Sequence, residues 1–502
     1  MVNEYLDVLI IGAGLSGIGA ACHLTNNCPT KSFAILEGRE RMGGTWDLFQ
    51  YPGIRSDSDM YTLGYNFKPW TNPKAIADGP SILSYIKETA KENHIDEHIR
   101  YQQTVKSANW SNKDALWTVT IEDSSTGKKK TISCNFFLSC AGYYSYKSGY
   151  QPDFEGKGDF EGDIIHPQNW PQKFDYSGKK VVVIGSGATA VTIVPAMTDK
   201  AKHVTMLQRS PTYMMSLPAK DESINKLRKY LPDNLVYRIA RTRNVALSLG
   251  TYQVSRRFPE KTKEFLLAQV EKQLGSSSDM KHFTPTYNPW DERLCAVTNG
   301  DLFKAIRKNK ASVVTDHIDK FTKKGILLKS GELLEADIII TATGLNVQML
   351  GGIELSVDNK KFNITEKMLY KGILIEGLPN LGLVFGYTNA SWTLKADLVS
   401  EYVCRLMNQM DRKGMRQCTA INADKKVHHT PFLDMQSGYI QRALDKVPQQ
   451  GSHLPWKLYQ NYAFDMAMLR LGKMNDGIIQ YSHPKTENVD LSPERKIETL
   501  MQ

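Results

Sequence analysis

Paired cysteines are missing from this chain. Its seven cysteines (Cys22, Cys28, Cys134, Cys140, Cys295, Cys404 and Cys418) are scattered, odd in number and without a CxxC pair. That pattern argues against a disulfide framework or a thiolate zinc site and suits reduced thiols in the cytoplasm. Long apolar runs are missing too: nothing reaches the roughly 20 residues that span a bilayer. The one stretch that could pass for a signal peptide, Leu6 to Leu24, has no basic leader, carries Asp7 at its start and is interrupted by four glycines. It is not read as one. A cytoplasmic protein with at most peripheral membrane contact is expected. No low-complexity tract occurs, and no metal-ligand cluster, serine nucleophile or carboxylate dyad stands out, so no metal is expected. With 502 residues, 41% hydrophobic and 23% charged, the chain suits two or three globular domains.

What is present begins at Val8-Leu9-Ile10-Ile11, a short, wholly apolar run typical of a strand buried on both faces. It leads into Gly12-Ala13-Gly14-Leu15-Ser16-Gly17 and a helix through Leu24, followed by an apolar strand from Phe33 to Leu36 that ends in Glu37. Gly12 permits the tight turn, Gly14 lets the backbone approach a pyrophosphate, and Gly17 lets helix and strand pack closely. The helix N-terminus presents free N–H groups to phosphate, and Glu37 can accept from ribose hydroxyls. A second copy follows at Val181-Val182-Val183-Ile184 and Gly185-Ser186-Gly187-Ala188-Thr189-Ala190, with Ala190 in the third glycine's place. Its next strand, Val204 to Leu207, ends in Gln208-Arg209-Ser210. An acid there would repel a 2′-phosphate, whereas Arg209 and Ser210 can bind it. Such a charge-assisted bond contributes about 1.5–3 kcal/mol, roughly a ten- to hundredfold preference. The second site, with Gly185, Gly187, Thr189, Arg209 and Ser210, is therefore read as an NADPH site.

After each turn comes a small β-meander (Trp117, Val119 and Ile121 in the first half; Ile326 to Leu328 in the second) and a closing strand ending in glycine, Gly142 or Gly344. The expected fold is α/β, with two Rossmann-like dinucleotide-binding domains and a helical insertion in the second. The expected boundaries are 1–142 for the first part of the first domain and 143–217 for a linker and the start of the second. The insertion follows at 218–292, the rest of the second domain at 293–344, and the return with the C-terminal region at 345–502. Between Lys220 and Pro289 the pattern predicts basic amphipathic helices, such as those over 225–230 and 261–274. Their Lys and Arg surplus reads first as a solvated helix face, with docking on membrane or nucleic acid as the alternative. The net charge of +10 and pI near 9.0 suit a protein that holds two polyanionic dinucleotides, and no nucleic-acid partner is expected.

Two-nucleotide flavoproteins that reduce disulfides need a redox cysteine pair. Here the segment after Glu37 reads Gly43-Gly44-Thr45-Trp46, with no cysteine before Cys134. At the link between the halves stands Phe160-Glu161-Gly162-Asp163-Ile164-Ile165-His166-Pro167-Gln168-Asn169-Trp170-Pro171. This resembles the FxGxxxHxxxWP fingerprint of Baeyer–Villiger monooxygenases, the class B flavin monooxygenases. Tyr51 to Asp57 and Gly386 to Trp392 are most similar to the subgroup of mycobacterial ethionamide-activating monooxygenases and their bacterial relatives. The resemblance implies FAD in the first site, with Gly44, Thr45, Trp46, Asp57 and Val105 joining Gly12, Gly14, Gly17 and Glu37. It implies a hinge role for Phe160, Gly162, His166, Trp170 and Pro171. It makes Asp57 and Arg293 the catalytic pair, Asp57 orienting a cationic arginine, although many relatives carry Lys-Arg where this chain has Arg293 alone. Trp456 matches a tryptophan that touches the nicotinamide cofactor; a tryptophan of the core fits the same position. The implied reaction uses NADPH and O2 to convert ketones to esters or lactones through a C4a-peroxyflavin, and to oxygenate sulfides. A nitrogen- or sulfur-only oxygenase and a non-catalytic redox-sensing flavoprotein remain alternatives.

Overall fold

The computed structural model describes residues 4–275, 279–292, 294–432 and 438–484. Strand β1 (Glu4–Ile11), helix α1 (Leu15–Asn27) and strand β2 (Phe33–Leu36) form the first βαβ unit. β1 pairs in parallel with β2, from Val8 opposite Phe33 to Ile11 opposite Leu36. Val8 and Ile10 pack into the core under α1 and the C-terminal helix Trp392–Arg412, while Leu9 and Ile11 join a second core with Trp110, Trp117 and Val119. A strand clothed on both faces is what its unbroken apolar run requires. The meander of Gln103–Ser111, Leu116–Asp123 and Lys129–Ser139 extends the same sheet. So does Leu381–Leu383, which pairs in parallel with Lys129–Ser139 and brings the end of the chain back to the first domain.

The second domain is a five-stranded parallel sheet in the order Ala311–Thr315, His203–Gln208, Lys180–Ile184, Ile338–Thr341, Asp163–Ile165. Two linkers connect the domains, and they pair with each other: Tyr144–Gly149 runs antiparallel to Leu345–Val347. The domains also interlock. Phe49 and Tyr51, from the first domain, are buried in the core of the second. A Cβ on Gly53 would lie 2.7 Å from the Ala196 Cβ, so this loop fits against the second domain's helix only as glycine.

Among the described residues the insertion holds three α-helices, Glu222–Leu227, Asp233–Arg257 and Pro259–Leu274. The long middle helix lies within the span read as helical but is not one of the two segments named there. Along its 25 residues only Val236, Tyr237, Ala240 and Ser255 are buried, so no buried apolar stripe runs its length. All seven cysteines are buried and free. Among the described residues no helix is long and apolar enough to cross a membrane.

Candidate active site

The two glycine turns have the geometry their residues dictate. Gly12 has φ +99°, and a Cβ on it would lie 2.7 Å from the Cys140 carbonyl oxygen. A Cβ on Gly17 would sit 1.8 Å from the Gly12 oxygen, so α1 approaches β1 closely only because Gly17 is bare. Gly14 is the N-cap of α1 with no side chain covering the helix end. Glu37 is buried, and its carboxylate accepts the Ala13 and Arg39 backbone N–H groups at 2.8 and 3.0 Å. Burial nevertheless pushes its pKa up, opposed by those hydrogen bonds.

These groups open on a cleft of about 710 Å³. It brings together Gly12, Gly14 and Glu37 with Gly44, Thr45, Trp46, Asp57, Val105 and, from the second domain, Thr189. Gly17 serves from behind, as packing. Thr189 bonds the buried Tyr51 hydroxyl across the domain boundary. Arg55, which also lines the cleft, reaches Asp301 of the second domain at 2.5 Å. Asp57 is exposed on the cleft wall.

Sequence reasoning missed several lining residues. Tyr146, on the linker strand, bonds the Thr45 side chain, and burial pushes its phenol up to about 12. Trp392 donates from Nε1 to Ser16 Oγ at 2.7 Å and stacks on Tyr143 with ring centroids 5.1 Å apart. Together they pin the N-terminus of α1. The tyrosine-rich linker and the Gly386–Trp392 motif were the available signals, and neither says which ring faces the cleft.

The second turn repeats the first. Gly185 has φ +132°, and a Cβ there would meet the Ala342 oxygen at 2.4 Å; a Cβ on Gly187 would meet nothing within 4 Å. Gly187 caps the helix Ala188–Met197, leaving its free N–H groups toward open space. Arg209 and Ser210 stand exposed just past His203–Gln208, with Ser186 Oγ donating to the Ser210 oxygen at 3.2 Å. Burial raises the Glu292 pKa, and the charge of Arg209 opposes that shift. Arg293 lies outside the described residues. Its neighbour Cys295 opens a strand, and the Cys295 thiol is 3.8 Å from the Ser186 oxygen, so that segment runs beside the second turn.

The fingerprint grips both linkers. His166 Nδ1 accepts the Gln168 N–H at 3.2 Å, which leaves Nε2 to donate to the Gly344 carbonyl at 3.1 Å. A Cβ on Gly149 would strike this ring at 1.8 Å, and the Gln168 side chain donates to the Ser145 oxygen at 2.9 Å. Burial lowers the His166 pKa from 6.5, consistent with a neutral ring. Phe160 packs on Phe321, Trp170 on Phe174, and Gly162 fits under the Asp337 carbonyl; Pro171 is exposed. Trp456 is 1% exposed, packs edge-on against Tyr370 and does not line the cleft.

The residues present fit two dinucleotides: two bare helix N-termini, an acid at one adenosine end and an arginine with a hydroxyl at the other. Comparison with known proteins agrees. The flavin-binding monooxygenase-like family matches residues 69–408, and an NAD(P)-binding Rossmann-like domain matches residues 10–71. The FAD-containing monooxygenase EthA of Mycolicibacterium smegmatis is 53% identical over 96% of this chain and 98% of its own. The probable FAD-binding monooxygenase AlmA of an Acinetobacter species is 49% identical over 98% and 99%. Among solved structures, an oxidized steroid monooxygenase bound to NADP aligns with TM-score 0.74 at 20% identity, over 96% of this chain and 100% of that one. OTEMO in complex with FAD and NADP aligns with TM-score 0.68 at 22% identity, over 83% and 88%; at that identity the likeness is one of fold. This chain belongs to the flavin-binding monooxygenase-like family.

Proposed function

We propose that this protein is an FAD-containing, NADPH- and O2-dependent monooxygenase of the Baeyer–Villiger type, turning ketones into esters or lactones and oxygenating sulfur in thioethers and thioamides. The observation that carries the proposal is the single cleft shared by the first glycine turn, Asp57 and the second domain's Thr189. One pocket can thereby hold the reactive ends of both dinucleotides. FAD, when bound, supplies the oxygen-activating ring, and NADPH supplies the hydride.

The chain's own residues bind, orient and exclude water. The N-terminus of α1 holds the first pyrophosphate and Glu37 the ribose. Gly187 and the helix after it hold the second pyrophosphate, and Arg209 with Ser210 takes the 2′-phosphate. Arg293 is assigned the cation that stabilises negative charge developing on the reacting oxygen, and Asp57 is assigned its orientation. The aromatic wall of Trp46, Tyr146 and Trp392 keeps the cleft dry, which strengthens that electrostatic contact.

Arg293→Ala should still consume NADPH in the first, reductive half of the reaction but give no ester from any ketone. Undiminished ester formation would remove Arg293 from the mechanism. A product screen of the wild type with NADPH, aliphatic and cyclic ketones, and thioethers tests the substrate class. Sulfoxide without any ester would mean a heteroatom oxygenase.

A further inference from the structure

The insertion turns an unusual face outward. On the helix Asp233–Arg257 and just past it, Leu235, Ile239, Leu247, Val254 and Phe258 are all exposed, Leu247 at 60% and Val254 at 56%. At about 100° per residue, spacings of four, eight, seven and four spread them over roughly 140° of the helix surface. Phe265 on the next helix and Tyr230 just before are exposed at 59% and 82%. Isolated apolar side chains on a surface need no explanation, but a contiguous stripe of large ones marks an interaction site.

The same segment is the most basic part of the chain. Residues 226 to 263 carry ten Lys and Arg against two Asp and Glu, so a net +8 of the chain's +10 is concentrated there. Lys229, Arg238, Arg257 and Lys261 are exposed around the stripe, and the Arg257 and Lys261 cations lie within 6 Å of the Phe258 ring centroid. The inner face is fixed to the flavin-binding domain. Tyr237 donates its hydroxyl to the Tyr65 carbonyl at 2.8 Å. Arg241 donates to the Tyr61 and Gly64 carbonyls and pairs with Asp397. Outer residues are therefore presented by a helix that cannot simply turn them inward.

We propose that this outer face docks on an anionic lipid bilayer. A stripe of Leu, Ile, Val and Phe flanked by Lys and Arg is the composition of a helix lying in a membrane interface, with apolar side chains among the acyl chains and cations at the headgroups. Nucleic acid would match the charge but leave the apolar stripe without a partner. A second copy of the same face would match the stripe but bring two positive surfaces together.

Flotation of the FAD-loaded full-length protein with phosphatidylcholine vesicles, with and without about a third phosphatidylglycerol, tests this. Partition should be about tenfold stronger onto the anionic vesicles and should weaken as salt shortens the screening length. Leu247→Asp with Val254→Asp should lower it at least about tenfold, and so should Arg257→Glu with Lys261→Glu, with the bound-flavin spectrum unchanged in both. Equal partition onto the two vesicle types, or partition that neither pair of substitutions alters, overturns the proposal. So does a wild-type dimer that Leu247→Asp with Val254→Asp splits, or duplex DNA binding that only the charge reversals abolish, without the vesicle binding above.

Discussion

Lys395 and Asp465 form an ion pair 2.8 Å long, with side chains only 6% and 7% exposed. The Tyr387 hydroxyl donates to the same Asp465 oxygen at 2.7 Å, and Tyr387 also lines the flavin-side cleft. The pair ties the helix Trp392–Arg412 to the short helix Tyr462–Met466. Lys395→Met keeps the length of the side chain and removes its charge, leaving a buried carboxylate with one neutral donor. Breaking a buried pair from one side costs about 3–5 kcal/mol, whereas replacing both partners with apolar groups leaves no charge to desolvate. Each kcal/mol shifts the melting temperature by roughly 2–4 °C in a domain of 150–250 residues. Lys395→Met should therefore melt roughly 6–20 °C lower than the wild type, and the double variant with Asp465→Leu should recover at least half of that loss. The assay is release of flavin fluorescence on heating the FAD-loaded protein at neutral pH. The reasoning fails if Lys395→Met melts within about 2 °C of the wild type, or if the double variant loses as much as the two singles together.

Other consequences can be checked as directly. The folded-state pKa of His166 is depressed below 6.5 by burial, so its contribution to stability is complete above that value and is lost as the pH falls through the folded-state pKa. Protonating Nδ1 also ends its hydrogen bond from Gln168. The melting temperature should fall on acidification from pH 7 to 5, and less so in His166→Asn; identical pH profiles would dissociate His166 from the effect. Gly185→Ala, at φ +132° and with its Cβ 2.4 Å from a carbonyl oxygen, should yield little folded protein. Gly187→Ala meets nothing within 4 Å and should melt like the wild type but bind NADPH at least about tenfold more weakly; unaltered binding would mean the pyrophosphate lies elsewhere. Arg209→Ala should lose its preference for NADPH over NADH, measured as the ratio of kcat/KM values.

The two turns were legible in the sequence because everything that defines them is local. A buried strand, three small residues and a helix start lie within a dozen positions, and the φ values of Gly12 and Gly185 follow from that pattern. The end of each following strand, Glu37 against Arg209, was legible for the same reason. What stayed hidden depends on distant parts of the chain. Nothing near Tyr51 says that its ring is buried in another domain's core against residues beyond 180. Lys395 and Asp465 lie 70 positions apart, and nothing local to either announces their pairing. The helix Asp233–Arg257 was hidden because only Val236, Tyr237, Ala240 and Ser255 along it are buried, so the usual signature of a buried stripe is absent.

The paired linkers have a mechanical consequence. Two separate tethers would let the domains twist, slide and swing independently. Tyr144–Gly149 paired with Leu345–Val347 is instead one two-stranded ribbon, so neither tether can shift without the other. His166, fastened to Gly344 and packed on Gly149, ties both tethers to the edge of the second domain.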